Sequence, residues 1–156
     1  MQLPEYTQHK DTDKRIKSAI MALKALTVLD LYPEHREELL TVCLWKITTA
    51  DGNANGKSKK FKIKFRSEKV IKSLSTPKEK NLRHDHVYTR KLLIDRIINN
   101  PDKIDDIVKD AVGCVVTKDE HDKLHSVDEK LQGWERYKAA GIKVWDLKEG
   151  KEHKIK

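Results

Sequence analysis

One junction constrains the fold of this chain more than any other feature. Cys114-Val115-Val116 is a short β-branched apolar run, and Thr117-Lys118-Asp119-Glu120 follows it without an intervening loop. The run suits a buried strand. Thr117 with Glu120 three residues later forms a capping box, in which each side chain satisfies a backbone N–H of the other residue. A strand that passes directly into a capped helix implies an α+β fold, with sheet and helix sharing a core. That helix carries His121 and His125, one turn apart on the same face.

The N-terminal half reads as helical. Ile16, Ala19, Ile20, Leu23, Leu26 and Leu29 recur at three and four, predicting an amphipathic helix from Asp13 to about Leu29 behind an untied leader, residues 1–11. Tyr32-Pro33 breaks it, and Pro33 opens a second helix whose buried face is Leu39, Leu40, Cys43, Leu44 and Ile47. After turn chemistry at 51–56, Phe61, Ile63 and Phe65 alternate with Lys60, Lys62, Lys64 and Arg66, the period of a half-buried strand over 60–66. A short helix is expected from Glu68 to Leu74. Thr76-Pro77 marks the best internal boundary, dividing 1–76 from 77–150 and a frayed tail, 151–156, within one compact unit.

The second half predicts a strand from Leu82 to Val87 and helices over Leu92–Ile98 and Ile104–Val112. Asn99 and Asn100 serve as cap and turn residues, and Gly113 stands at the C′ position of the second helix. A short helix from Trp134, closed by Gly141, and a last strand near Ile142–Leu147 complete the reading.

Charge narrows the function. Lys and Arg number 33 against 25 Asp and Glu, a net charge of +8. Eight of those cations fall between Lys57 and Lys72, with Glu68 the only acid among them. Such a row either neutralises phosphates or guards an edge strand against pairing. No apolar run approaches the roughly 20 residues of a membrane span, and the N-terminus has no apolar signal region. Cys43 and Cys114 are too few and too far apart for a disulfide scaffold or a Cys-rich zinc site, so a reducing cytoplasm is expected.

Four of the seven histidines, His84, His86, His121 and His125, lie in one 42-residue window. The His121–His125 pair can share a metal ion, or be two exposed imidazoles among Asp122 and Lys123. His84 and His86 lie near the strand end, and Asp85 could bring a carboxylate to the same ion if strand and helix pack. Two imidazoles and one oxygen ligand leave positions open for water and substrate.

The order Asp85-His86 at a strand end, an intervening segment, Val116-Thr117 at a second strand end, then His121-x-x-x-His125 on a helix resembles the ββα-metal nucleases (HNH, His-Me finger). The DNase domains of colicins and pyocins are the nearest likeness, and it covers residues 82–125. The resemblance implies a ββα-metal core with inserted helices, in which His86 is the general base and Asp85, His121 and His125 hold one divalent ion. Zn²⁺, Ni²⁺, Mg²⁺ or Mn²⁺ are the candidates. It implies a DNA substrate, bound mainly through phosphates, with Arg83 or Arg90 as a clamp and Lys60, Lys62, Lys64 and Arg66 as backbone contacts. The chain departs from the family in having Tyr88-Thr89-Arg90 where a proline follows the base, in lacking a clear middle Asn, and in the length of the segment between strands. Gly133-Trp134-Glu135-Arg136-Tyr137 looks like bacterial and phage proteins of HNH type, without an assignable role.

Two other readings stand beside the nuclease of phage or bacterial defence. One is a module that holds nucleic acid or an acidic protein without cutting. The other is an interaction protein whose Asp13–Leu29 helix pairs with a partner or a second copy through Leu23 or Leu26.

Overall fold

The computed structural model describes residues 1–73 and 79–156. It is an α+β fold. Helices α1 (Thr12–Val28) and α2 (Pro33–Thr48) lead through a 3-10 turn, Gly56–Phe61, to strand β1 (Phe65–Ser67) and helix α3 (Glu68–Lys72). Strand β2 (Leu82–His86) is followed by α4 (Arg90–Asn99) and α5 (Ile104–Ile107), with 3-10 turns on both sides of α5. Then come β3 (Gly113–Thr117), α6 (Lys118–Ser126), α7 (Trp134–Ala139), β4 (Val144–Asp146) and β5 (Lys151–Glu152). The five strands form one mixed sheet in the order β2-β3-β1-β4-β5, where β1 and β3 are parallel and the other pairs antiparallel.

The apolar pattern sorts into three cores. Leu23, Leu40, Leu44, Leu93, Ile97 and Ile104 join α1, α2, α4 and α5. On one face of the sheet Cys114 and Val116 meet Leu124 of α6, Tyr137 of α7 and Val144. On the other face Val115 packs with Phe61, Ile63, Val70 and Leu82. Because β3 is buried on both faces it reads as a continuous apolar run, as its sequence does.

The capping box forms as read. The Glu120 N–H donates to Thr117 Oγ1 at 3.3 Å and the Thr117 N–H to Glu120 Oε2 at 2.9 Å. Ser67 Oγ also donates to Glu120 Oε2, at 2.6 Å, so the start of α6 is bonded to the end of β1. Glu120 is buried, and these donors supply what its carboxylate loses from water.

Several expectations need correction. The strand over 60–66 is a 3-10 turn followed by a three-residue strand, Phe65–Ser67. Phe61, Ile63 and Phe65 are buried as the alternation implies. The backbone, however, finds partners outside a ladder: Lys62 N–H donates to Lys59 O, and Lys64 N–H to Asp51 Oδ2 at 3.0 Å. Since β1 lies between β3 and β4, the lysines guard no edge. The leader is tied down, with Tyr6 Oη donating to Asp51 Oδ2 at 2.6 Å and the His9 N–H to Asp51 O at 3.1 Å. The tail is not frayed at its start: β5 pairs with β4, and His153 stacks against Trp134 and Phe65 rather than standing in solvent. Leu23 is fully buried between helices, so it cannot serve a partner surface. The Thr76-Pro77 boundary and Leu74 lie outside the described residues.

Gly113 opens β3 instead of capping a helix. It sits opposite His86, and a Cβ there would come within 2.3 Å of His84 Nε2 and 3.0 Å of Ile63 Cδ1. The glycine therefore makes room for the His84 ring. Gly113→Ala is expected to destabilise the fold by ~1–3 kcal/mol, as overpacking does. In urea unfolding, a Gly113→Ala/His84→Ala pair should lose less than the sum of the two single losses.

Candidate metal centre

Strand β2 is at the edge of the sheet, and its alternation sends neighbouring side chains to opposite faces. His84 and His86 point to the side of α2, where their rings lie 5.2 Å apart and meet Trp45 at 4.7 and 4.6 Å. Asp85 points to the side of α6 and α7. Being on an edge strand, both sides open into one depression of about 470 Å³, lined by Asp85, His86, His121, His125, Trp45 and Arg90 among others.

Asp85, His121 and His125 come together as the sequence implies. His121 Nε2 lies 3.1 Å from His125 Nε2 and 3.9 Å from Asp85 Oδ1. One ligand atom from each of the three residues fits within 4.8 Å of the other two. Ligands held ~2.0–2.2 Å from a tetrahedral zinc stand about 3.3–3.6 Å from one another, so these spacings suit one ion. The group could hold a metal ion. The donor set fits too, since two imidazoles aim the same ring nitrogen at one point beside a buried carboxylate. Asp85 is buried, His121 half-buried and His125 exposed, so one side of the group faces solvent. Burial and the neighbouring His125 lower the His121 pKa, which keeps the ring neutral and its lone pair available.

Two residues that sequence reasoning left without a role complete the centre. Tyr137, fully buried in α7, donates its hydroxyl to Asp85 Oδ2 at 2.7 Å. Arg136, also buried, donates to the carbonyls of His86 and Val87 at 3.1 and 3.0 Å and reaches Asp85 Oδ1 at 3.5 Å. The carboxylate is thus oriented, with Oδ2 engaged by tyrosine and Oδ1 turned toward His121. The only signal was the Gly133–Tyr137 motif itself, because an Arg-Tyr pair on a short helix has no intrinsic reason to be buried.

His86 is 7% exposed, and among the described residues neither ring nitrogen has a hydrogen-bond partner. Burial, then the neighbouring His84 and Arg90, push its pKa down to about 3. Burial likewise takes His84 down to about 4, although its Nε2 approaches Thr48 O at 3.4 Å.

The basic residues divide. Lys60, Arg83 and Arg90 line a trough continuous with the centre, sharing Trp45, His84 and His121 with it, and Arg90 lies 5.5 Å over the Trp45 ring. Arg83 also donates to the carbonyls of Lys80 and Leu82, both at 2.8 Å. Lys62 is exposed and lines neither the centre nor the trough. Lys64 and Arg66 are not in an outward row: Lys64 pairs with Asp146 at 3.7 Å, and half-buried Arg66 donates to Ile63 O. Trp45 is half-buried and lines the mouth. Cys114 is a buried core thiol, as read, and burial raises its pKa. Asn100 follows α4 as a turn residue.

No family model, no curated protein and no solved structure matches the chain. No helix among the described residues is long and apolar enough to cross a membrane.

Two outcomes are expected. Tyr137→Phe keeps the ring but frees Asp85 Oδ2, and should weaken Zn²⁺ or Co²⁺ binding by ~10–100-fold in a competition titration. Because folded His84 and His86 protonate below the free-imidazole value of 6.5, the unfolded chain binds more protons in acid. Metal-free stability should therefore hold above neutrality and fall as pH drops from 6.5 toward 4, by up to about 1.4 kcal/mol per pH unit for each imidazole. Urea midpoints across that range test this, and a flat profile would mean that the rings are not buried neutral.

Proposed function

We propose that the protein is a metal-dependent endonuclease of HNH type that hydrolyses phosphodiester bonds in DNA. One observation carries the reading: antiparallel β2 and β3, passing directly into α6, gather Asp85, His121 and His125 at a solvent-facing point with His86 beside them. A basic trough continuous with that point supports a polyanionic substrate.

In this reading Asp85, through Oδ1, and the two helix imidazoles, through Nε2, hold one divalent ion. Zn²⁺ or Ni²⁺ suits the imidazoles, and Mg²⁺ or Mn²⁺ works through the carboxylate. When bound, the ion supplies Lewis-acid stabilisation of charge on the phosphate and leaving oxygens. His86 takes the proton of the attacking water at a ring nitrogen. Lys60, Arg83 and Arg90 hold phosphates along the trough, contacts that position the strand without reading its bases. His86 is nearly sealed, with Trp45 and Arg90 lining the mouth of the depression.

The same seal favours a second reading. An imidazole held near 3 is a poor proton acceptor at neutral pH, which suits a module that binds nucleic acid without cutting it.

Nicking of supercoiled plasmid separates the two. Metal-stripped protein should be inactive and regain nicking with one or more of Mg²⁺, Mn²⁺, Zn²⁺ and Ni²⁺. His86→Ala should reduce the rate at least ~100-fold while DNA binding is kept, the scale of a lost general base. No cutting with any of these ions would sink the nuclease reading, and equal cutting by the variant would sink the assignment of His86 as its base.

A further inference from the structure

The 3-10 turn Gly56–Phe61 separates its lysines into two sets. With about three residues per turn, Lys57 and Lys60 share one side, and both line the trough beside the metal centre. Lys59 points the other way, into a second depression of about 550 Å³ on the α1–α2 hairpin. Lys14, Arg15 and Lys46 line that depression too, against a single acid, Asp11.

This second cluster is poorly neutralised. Among the described residues Asp11 pairs with Lys14 alone, at 4.0 Å. Arg15 spends its donors on the carbonyls of Ala50 and Gly52, at 3.1 and 3.3 Å, and on His9, with no carboxylate partner among the described residues. Among the described residues Lys46 and Lys59 make no ion pair. Lys59 is half-buried, its stem packed across Gly52, where a Cβ would lie 2.8 Å from Lys59 Cγ. Its ammonium pKa is lowered by burial first, then by Arg15 and Lys46. Like charges held together at a partly dehydrated position are destabilising until an anion joins them.

We infer that Lys59, Lys46, Arg15 and Lys14 form a second phosphate site, which holds the nucleic-acid backbone after it has crossed the Gly56–Phe61 turn from the catalytic trough. The site anchors the strand away from the scissile bond. It rests on the nucleic-acid reading of the trough, and Lys57 and Lys60 on one side of the turn with Lys59 on the other provide its continuity. The cluster lies on the helical half of the chain, outside the segment that resembles nucleases.

The test is binding of the full chain to a fluorescent DNA duplex in chelator, where no cleavage occurs, across a range of KCl concentrations. Lys46→Gln/Lys59→Gln should lower the slope of log affinity against log salt by about 2, roughly one for each phosphate that is no longer neutralised. Lys109→Gln/Lys151→Gln, an equal change of charge elsewhere, should leave the slope near that of wild type. An unchanged slope in Lys46→Gln/Lys59→Gln, with a reduced slope in Lys60→Gln/Arg83→Gln, would overturn the second site and leave the trough reading intact. An equal drop in the Lys109→Gln/Lys151→Gln control would overturn it as well, because net charge alone would then explain the effect. Inorganic phosphate supplies the remaining arm. If it raises the wild-type Tm but not that of Lys46→Gln/Lys59→Gln, while the duplex slopes of the two proteins agree, the site takes a free anion and the backbone assignment is wrong. A wild-type chain that binds no duplex at any salt would overturn both this site and the nucleic-acid reading of the trough.

Discussion

Asp85 organises the β2 edge of this molecule. A carboxylate buried this deeply must be compensated, since an unpaired charge in the interior costs several kcal/mol or shifts its protonation. Compensation comes from α7, through the Tyr137 hydroxyl and the Arg136 guanidinium. One side chain on an edge strand thereby fixes a helix that is distant from it in sequence. Arg136 adds a second tie through the carbonyls of His86 and Val87, groups that the end of β2 leaves without ladder partners.

The sheet and helical halves are interlocked by the same economy of polar groups. Glu120 closes the N-terminus of α6 and accepts Ser67, so the strand contributed by the first half is bonded to the helix that carries the histidines. Asp51 does the corresponding work at the other end, accepting Tyr6 and the Lys64 N–H. Three carboxylates thus hold together segments that hydrophobic packing alone would leave free to slide. The basic residues are placed by this framework. The Gly56–Phe61 turn distributes its lysines around a bend, which turns a linear charge run into two separate surfaces.

Much of the fold was legible from local pattern. The α1 and α2 periodicities, the Thr117–Glu120 cap, the short β2 and β3 strands and the His121–His125 pair follow from spacing and capping chemistry, which act over a few residues. Asp85 joins that pair only if strand and helix pack, as the resemblance to the ββα-metal nucleases implies. What was not legible depended on distant partners. The alternation of Phe61, Ile63 and Phe65 reports burial, but a strand also needs a ladder, and here Asp51 and a turn carbonyl take those N–H groups first. Gly113 carries a C′ signature locally, yet the ring of His84 on the neighbouring strand is what requires it. The tail is charged and looks free, but β4 offers it an edge. Arg136 and Tyr137 were invisible for the same reason: their burial is dictated by Asp85, some fifty residues away in sequence.

The central proposal is that Asp85 of edge strand β2 and His121 and His125 of α6 hold one divalent ion beside a sealed histidine. Anomalous diffraction at the zinc absorption edge, from crystals of the chain grown with Zn²⁺, tests it most directly. The account predicts one strong peak bonded to Asp85 Oδ1 and to Nε2 of both histidines, with Tyr137 still on Oδ2. A peak at other residues, or a well-ordered centre with no peak at saturating zinc, would contradict it.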